Sequence, residues 1–194
     1  IGDGMGAPQV ALATEYAREK LTLGSLPTVG VTATRSLNRF ITDSAAAGTA
    51  LAAGEKTNSG MIGQSPDGRR IESYAAEAVR RGKKIGVVTS VSLDHATPAA
   101  FYAHVPSRSS YYDIACQMAQ SDIDYLAGGG LLQPRGKDNR QPDAYELARK
   151  NGYTVARTVK EFEALKPGIK AIAVAPNPTR QASLQYEIGP AGAP

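Results

Sequence analysis

Thr42-Asp43-Ser44-Ala45-Ala46-Ala47-Gly48-Thr49-Ala50-Leu51-Ala52-Ala53-Gly54 sets a single hydroxyl between a carboxylate and a run of alanines. Alanine is the strongest helix former, so Ser44 reads as the first residue of a helix that runs to about Ala53 and stops at Gly54. Ser36 to Ile41 delivers the chain to that point, read as a short extended segment. A serine at a helix start faces free backbone N–H groups and the positive end of the macrodipole. Such a place suits a phosphate or sulfate and favours the serine alkoxide. The plainer reading is an ordinary cap, for which Asp and Ser are preferred residues.

Two other stretches bear on that choice. Ile1-Gly2-Asp3-Gly4-Met5-Gly6 alternates glycine with an acid, and Ala7-Pro8 then opens a helical pattern over about 9–20. The three glycines permit tight turning and close approach. The dinucleotide GxGxxG spacing is not met, and a lone Asp in such a loop is also a common turn residue. Further on, Ser92-Leu93-Asp94-His95-Ala96-Thr97-Pro98 continues to Ala103-His104-Val105-Pro106-Ser107-Arg108. This follows the apolar run 85–89, which reads as a buried parallel strand. Polar groups just past the C-terminal end of such a strand stand where open α/β sheets hold their ligands.

In this order, Ile1 to Gly6, Thr42 to Thr57, His95 to Ala99 and Ala103 to Arg108 resemble the alkaline phosphatase family, bacterial branch. The likeness is strong over residues 1 to about 108 and looser beyond. It implies Ser44 as a nucleophile that forms a phosphoserine. It implies Asp3 as a carboxylate shared between a zinc and a magnesium position, with Ser44 also a metal ligand. His95 and Thr97 match two magnesium-site positions, the register being set by Thr97 and Arg108, so that His95 is preferred to Asp94. Arg108 is implied to grip two phosphate oxygens, with Asp43 orienting it. An imidazole at the His95 position suits zinc or cobalt better than magnesium. His104 matches no family ligand and reads as structural. Singly, each residue keeps a plainer reading: Asp3 as a turn, Thr97 as a helix cap before Pro98, Arg108 as a solvated surface cation.

The chemistry suits these residue types. A serine is a weak nucleophile until a base or metal activates it. Paired divalent ions can bind both the attacking and leaving oxygens. The planar guanidinium of arginine grips two phosphate oxygens at once.

At 194 residues and 20.3 kDa the chain is long enough for a sizeable core. A net charge of +4 without a basic, aromatic-rich run does not indicate nucleic-acid binding. No run of 18 apolar residues and no charged-then-apolar leader occurs among these residues. The single cysteine, Cys116, reads as core and excludes an intramolecular disulfide. Outside the motifs, helix-like segments at 71–81, 111–120, 143–150 and 159–165 alternate with strand-like ones at 84–89, 125–127, 153–156 and 171–175. Residues 60–68 read as a glycine-rich surface stretch and 133–142 as a loop. The alternation predicts an α/β fold with a mostly parallel central sheet and helices on both faces.

The resemblance also sets expectations about completeness. Zinc sites in such proteins need imidazoles and carboxylates, and this chain has two histidines, neither after residue 104. Residues 1–194 are therefore expected to form one partial catalytic domain, roughly the N-terminal half, with further zinc and magnesium ligands outside the segment. Phosphate monoesters are the implied substrates, and a homodimer exported to the periplasm the implied whole. Two rival readings stand beside this one. One is a non-catalytic phosphate- or metal-binding fragment or relative. The other is a related sulfatase or phosphodiesterase-type hydrolase, against which Asp43-Ser44-Ala45-Ala46 speaks. Incubated with zinc, magnesium and a chromogenic phosphomonoester, the 194-residue chain is expected to show little or no turnover; a rate near that of a full-length enzyme would mean that its ligand set is sufficient.

Overall fold

Short apolar runs separated by helical patterns fold here into a four-stranded, wholly parallel sheet, β1 (Gly86–Val88), β2 (Tyr125–Gly128), β3 (Thr154–Ala156) and β4 (Ala171–Val174), in the order β1-β2-β4-β3. The structure is a computed structural model and describes residues 1–176, 178–179 and 181–184. The helices are α1 (Ala7–Tyr16), α2 (Ser44–Ala53), α3 (Tyr74–Arg80), α4 (Ala96–Ala99), α5 (Tyr111–Ala119), α6 (Ala144–Lys150) and α7 (Val159–Glu163), with a short 3-10 turn at Thr22–Ser25. Parallel neighbours require crossovers, and the intervening helices supply them. The α/β class and the mostly parallel sheet read from the sequence are what the chain adopts.

The strand register aligns Val87, Leu126, Ile172 and Val155 on one face of the sheet. This row joins Ile114, Ala115 and Met118 of α5 and Ala144, Tyr145 and Ala148 of α6 in one core. The opposite face is covered only in part. There α7 flanks an apolar groove of about 270 Å³ lined by Val88, Ala127 and Ala173. Strand β1 differs from its reading as a buried strand: among the described residues it is an edge, and Val88 is 71% exposed. An apolar run signals burial on both faces, but it cannot say whether a neighbour stands on each side.

Several boundaries shift. Helix α1 begins at Ala7, with the Gly6 N–H bonded to Gln9 Oε1, and ends at Tyr16. None of its residues is buried. Residues 36–41 form bends, not an extended segment, because Ser36 Oγ bonds back to the Arg39 carbonyl and N–H. Residues 171–174 match their reading, and the Gly- and Pro-rich tail at 189–194 lies outside the described residues. Among the described residues no helix is long and apolar enough to cross a membrane.

Within 60–68, Pro66-Asp67-Gly68 is the exposed turn that the sequence suggests, but residues 62, 63 and 65 are buried. Ile62 is fully buried and pairs with Val105 in both directions, at 3.0 and 2.9 Å. Gly63 donates to the buried Thr49 Oγ1 of α2 at 3.0 Å, and Thr49 donates in turn to the Ala45 carbonyl. This bridge draws α2 towards the segment that leads to Arg108. Gly63 has φ +57, and a Cβ there would lie 2.3 Å from the Ala103 carbonyl oxygen. Gly68 has φ +87 with nothing within 4 Å of such a Cβ. Gly68→Ala is expected to cost about 1 kcal/mol, the backbone term alone, and Gly63→Ala at least about twice that. Urea unfolding of both variants checks this; equal losses would mean that the close approach of 63 to 103 does not hold the bridge.

Candidate active site

Helix α2 starts where the sequence places it. Asp43 caps it by accepting from the Ala46 N–H at 3.1 Å, and Gly54, at φ +72, closes it in the left-handed conformation. Ser44 is therefore the first helical residue, at the positive end of a ten-residue helix. Its Oγ lies 3.0 Å from each carboxylate oxygen of Asp3, 41 residues earlier in the chain. Thr97 Oγ1 donates to Asp3 Oδ2 at 2.9 Å. One carboxylate thus gathers two hydroxyls from two helices.

Those helices can meet because their contact is made of small residues. A Cβ on Gly48 would sit 3.1 Å from the Ala100 Cβ and 3.7 Å from the Thr97 Cα. Ala96, Ala99 and Ala100 complete the seam, all buried. Helix α4 begins at Ala96, with His95 as its cap: His95 Nδ1 accepts from the Thr97 N–H at 3.3 Å. Thr97 is therefore not the cap, and Pro98 is the third helical residue. Imidazole capping fixes the ring, and its other nitrogen, Nε2, faces Arg108 Nη2 at 3.4 Å.

Arg108 is held from three sides. Its Nη1 donates to Asp43 Oδ2 at 3.1 Å, its backbone N–H to the Gly60 carbonyl at 2.7 Å, and Nη2 faces His95. Gly60 in turn donates its N–H to Asp43 Oδ1 at 3.1 Å. Gly60 escapes sequence reading because it acts through its backbone alone. The Ser59-Gly60 pair marks a turn but not what the turn touches; its φ of +89 is the conformation that favours glycine. Asp94, the neighbour of His95, turns away from the site and is fully buried. His104 is pinned structurally, its Nδ1 2.7 Å from the Gly63 carbonyl oxygen.

The charged groups of the site hold one another. Burial pushes the Asp43 carboxyl up, but the Ala46 and Gly60 N–H groups and the Arg108 guanidinium outweigh it and hold the group below its ordinary value. Burial, aided by the Arg108 charge and opposed by Asp3, pushes the His95 imidazole below its usual pKa. At neutral pH His95 is therefore uncharged. A guanidinium, an uncharged imidazole and a helix start face one partly exposed region. Among the described residues no three of His, Cys, Asp and Glu stand together as a metal set. The oxygens of Asp3, Ser44 and Thr97 are of the kind that could hold a hard cation, while the His95 imidazole stands against Arg108.

The alkaline phosphatase family model matches residues 1–159, a span that includes all of these side chains. The chain belongs to the alkaline phosphatase family. It is similar to alkaline phosphatase 4 of Bacillus subtilis, 34% identical over 83% of this chain and 38% of that protein. It is 32% identical to the streptomycin-6-phosphate phosphatase of Streptomyces griseus over 87% of this chain and 44% of that protein. Among solved structures it resembles the alkaline phosphatase of the Antarctic bacterium TAB5, with a TM-score of 0.82 at 31% identity, covering 89% of this chain and 51% of that one. The Thermus thermophilus enzyme gives a TM-score of 0.82 at 32% identity, over 97% of this chain and 40% of that one. A histidine-to-aspartate variant of the TAB5 enzyme was solved with Mg bound in its M3 site. The chain spans about two fifths of the length of the first curated relatives it matches.

The capping carboxylate of this family member carries a pH signature. Because the folded-state pKa of Asp43 is lowered, its contribution to stability is complete above the ordinary carboxylate range and is lost as pH falls through the folded value. Asn at this position keeps the cap acceptor but not the charge. Urea unfolding of Asp43→Asn is expected to show lower stability than the native chain at pH 6, by about 1 kcal/mol, and a gap that narrows below pH 4. A gap independent of pH would remove the ion pair from this account.

Proposed function

We propose that this chain carries the nucleophile and the phosphate clamp of a phosphate monoester hydrolase that works through a phosphoserine on Ser44. The observation that carries this reading is the convergence of Ser44 Oγ and Thr97 Oγ1 on the Asp3 carboxylate, beside an Arg108 aligned by Asp43. Ser44 Oγ attacks phosphorus, the ester P–O bond breaks, and the leaving alkoxide takes a proton. Asp3 stands at the hydroxyl and can accept its proton. Water then attacks phosphorus, the Ser44–phosphorus bond breaks, and inorganic phosphate leaves. Arg108 binds two nonbridging oxygens through both steps, while the start of α2 favours their negative charge.

Divalent ions fit the same residues in part. Asp3, Ser44 and Thr97 would hold a magnesium-like ion through oxygen, and His95 would serve zinc only by giving up the bond its Nδ1 accepts from the Thr97 N–H. When bound, such ions lower the serine pKa and neutralise charge on the phosphoryl oxygens. Phosphate monoesters as substrates, one partial catalytic domain over residues 1–194, a homodimer of the whole protein and export to the periplasm belong to the same proposal. Binding without turnover is the second reading, supported by the lack of a three-residue metal set among the described residues.

The test is a steady-state assay with a chromogenic phosphomonoester, zinc and magnesium on the protein that contains this chain. Ser44→Ala is expected to lose at least about 10³-fold in kcat, and Arg108→Ala about 10²-fold, with Arg108→Lys losing less. Acid quenching in turnover should leave a phosphate adduct on the Ser44 peptide. Phosphate binding that needs Arg108, with no adduct and no Ser44-dependent rate, would replace this reading with the second.

A further inference from the structure

Asp94 is a fully buried carboxylate to which the proposed chemistry gives no part. Its Oδ2 accepts from two successive backbone N–H groups, Leu132 at 2.8 Å and Gln133 at 3.3 Å, while its buried Oδ1 has no well-aligned partner among the described residues, the Ser92 hydroxyl being the polar side chain beside the carboxylate. A half-satisfied buried carboxylate is costly, and an apolar residue would fill the space at less expense. Its retention calls for a reason in what Oδ2 grips.

The bonds around it form a seam. The loop that follows β1 crosses the end of β2, where the Gly129 N–H donates to the Val91 carbonyl at 3.0 Å and the Leu93 N–H to the Gly130 carbonyl at 2.7 Å. The crossing is close: a Cβ on Gly128 would stand 2.8 Å from Thr89 Cγ2 and 3.0 Å from the Val91 oxygen. The two Asp94 bonds to 132 and 133 are the last fastenings before the chain reaches the site. His95 has extended backbone, φ −70 and ψ 150. Leu93 and Asp94 are the middle of a turn closed by the His95 N–H on the Ser92 carbonyl at 3.1 Å, and the chain leaves that turn with Asp94 in the seam and His95 facing Arg108. Thr97 follows within the first turn of α4, its hydroxyl on Asp3.

We infer that Asp94 is a positioning residue: by clamping the N–H groups of Leu132 and Gln133 it sets where His95 and Thr97 stand relative to Arg108 and Asp3. The role rests on the phosphatase reading for its kinetic consequence, but not for its effect on anion binding. The grip needs an acceptor oxygen and not a charge, so Asn can replace Asp, whereas Ala leaves both N–H groups unpaired.

The test compares Asp94→Asn and Asp94→Ala in the protein that contains this chain, with the folded fraction checked by circular dichroism. A displacement of about 1 Å at a reacting centre costs on the order of 10²-fold, so Asp94→Ala should lower kcat about 10- to 100-fold, and Asp94→Asn should stay within about 3-fold of native. Inorganic phosphate affinity, measured by calorimetry, should fall about 10-fold in Asp94→Ala and hold in Asp94→Asn. Should Asp94→Ala not fold, Asp94→Ser, which offers one shorter acceptor, is expected to give a smaller loss in the same direction. Native kcat and phosphate affinity in the folded Ala or Ser variant would overturn the role, leaving Asp94 to stability alone. An Asn variant as impaired as Ala would also overturn it, since charge and not the acceptor would then matter. Ser44→Ala in the same assay separates the two ideas: full turnover there sinks the phosphatase reading, while the phosphate affinities still decide the role of Asp94.

Discussion

The site depends on one carboxylate making three bonds at once. Asp43 caps α2 through Ala46, holds the Gly60 N–H, and pairs with Arg108. The first bond determines where the helix starts and hence that Ser44 is its first residue. The other two bring in a loop 17 residues on and an arginine 65 residues on. Removing the charge loosens all three positions together, because the same two oxygens serve them. An ionised carboxylate suits this work, since charge-assisted bonds to backbone N–H and guanidinium are stronger than neutral ones.

Small residues make the second condition. Helix α2 presses on α4 through Gly48 and the alanines at 96 and 100, so the hydroxyls of Ser44 and Thr97 reach a common carboxylate. Larger side chains in that seam would separate the helices by more than a hydroxyl can span. The same economy of volume operates where the loop after β1 crosses Gly128. The rigid parts of the fold are thus placed by close backbone approach, and the polar groups at the site inherit that placement.

Electrostatics completes the arrangement. Arg108 is the cation nearest to Asp43 and His95, and burial keeps the imidazole neutral beside it. A second positive charge at His95 would repel the guanidinium, whereas a neutral ring leaves the Arg108–Asp43 pair undisturbed. This pattern accords with membership of the alkaline phosphatase family, whose model covers all of these residues.

Much of this was legible in order along the chain. The alanine run with Asp43 before it and Gly54 after it determines α2 and its cap by local rules alone, because capping and left-handed closure involve near neighbours. The alternation of apolar runs and helical patterns likewise determines a parallel α/β sheet. What tertiary structure decided are the relations that cross long separations. Asp3 meets Ser44 and Thr97 across 41 and 94 residues, Gly60 enters the site through its backbone, and Ile62, Gly63 and Ser65 are buried in a stretch whose composition reads as surface. That Asp94 turns inward while His95 faces Arg108 was likewise settled only by folding, since composition is silent on which side of a turn finds a partner. Local propensity acts over a few residues, and a site is made by residues that only a packed core can bring within 3 Å of one another.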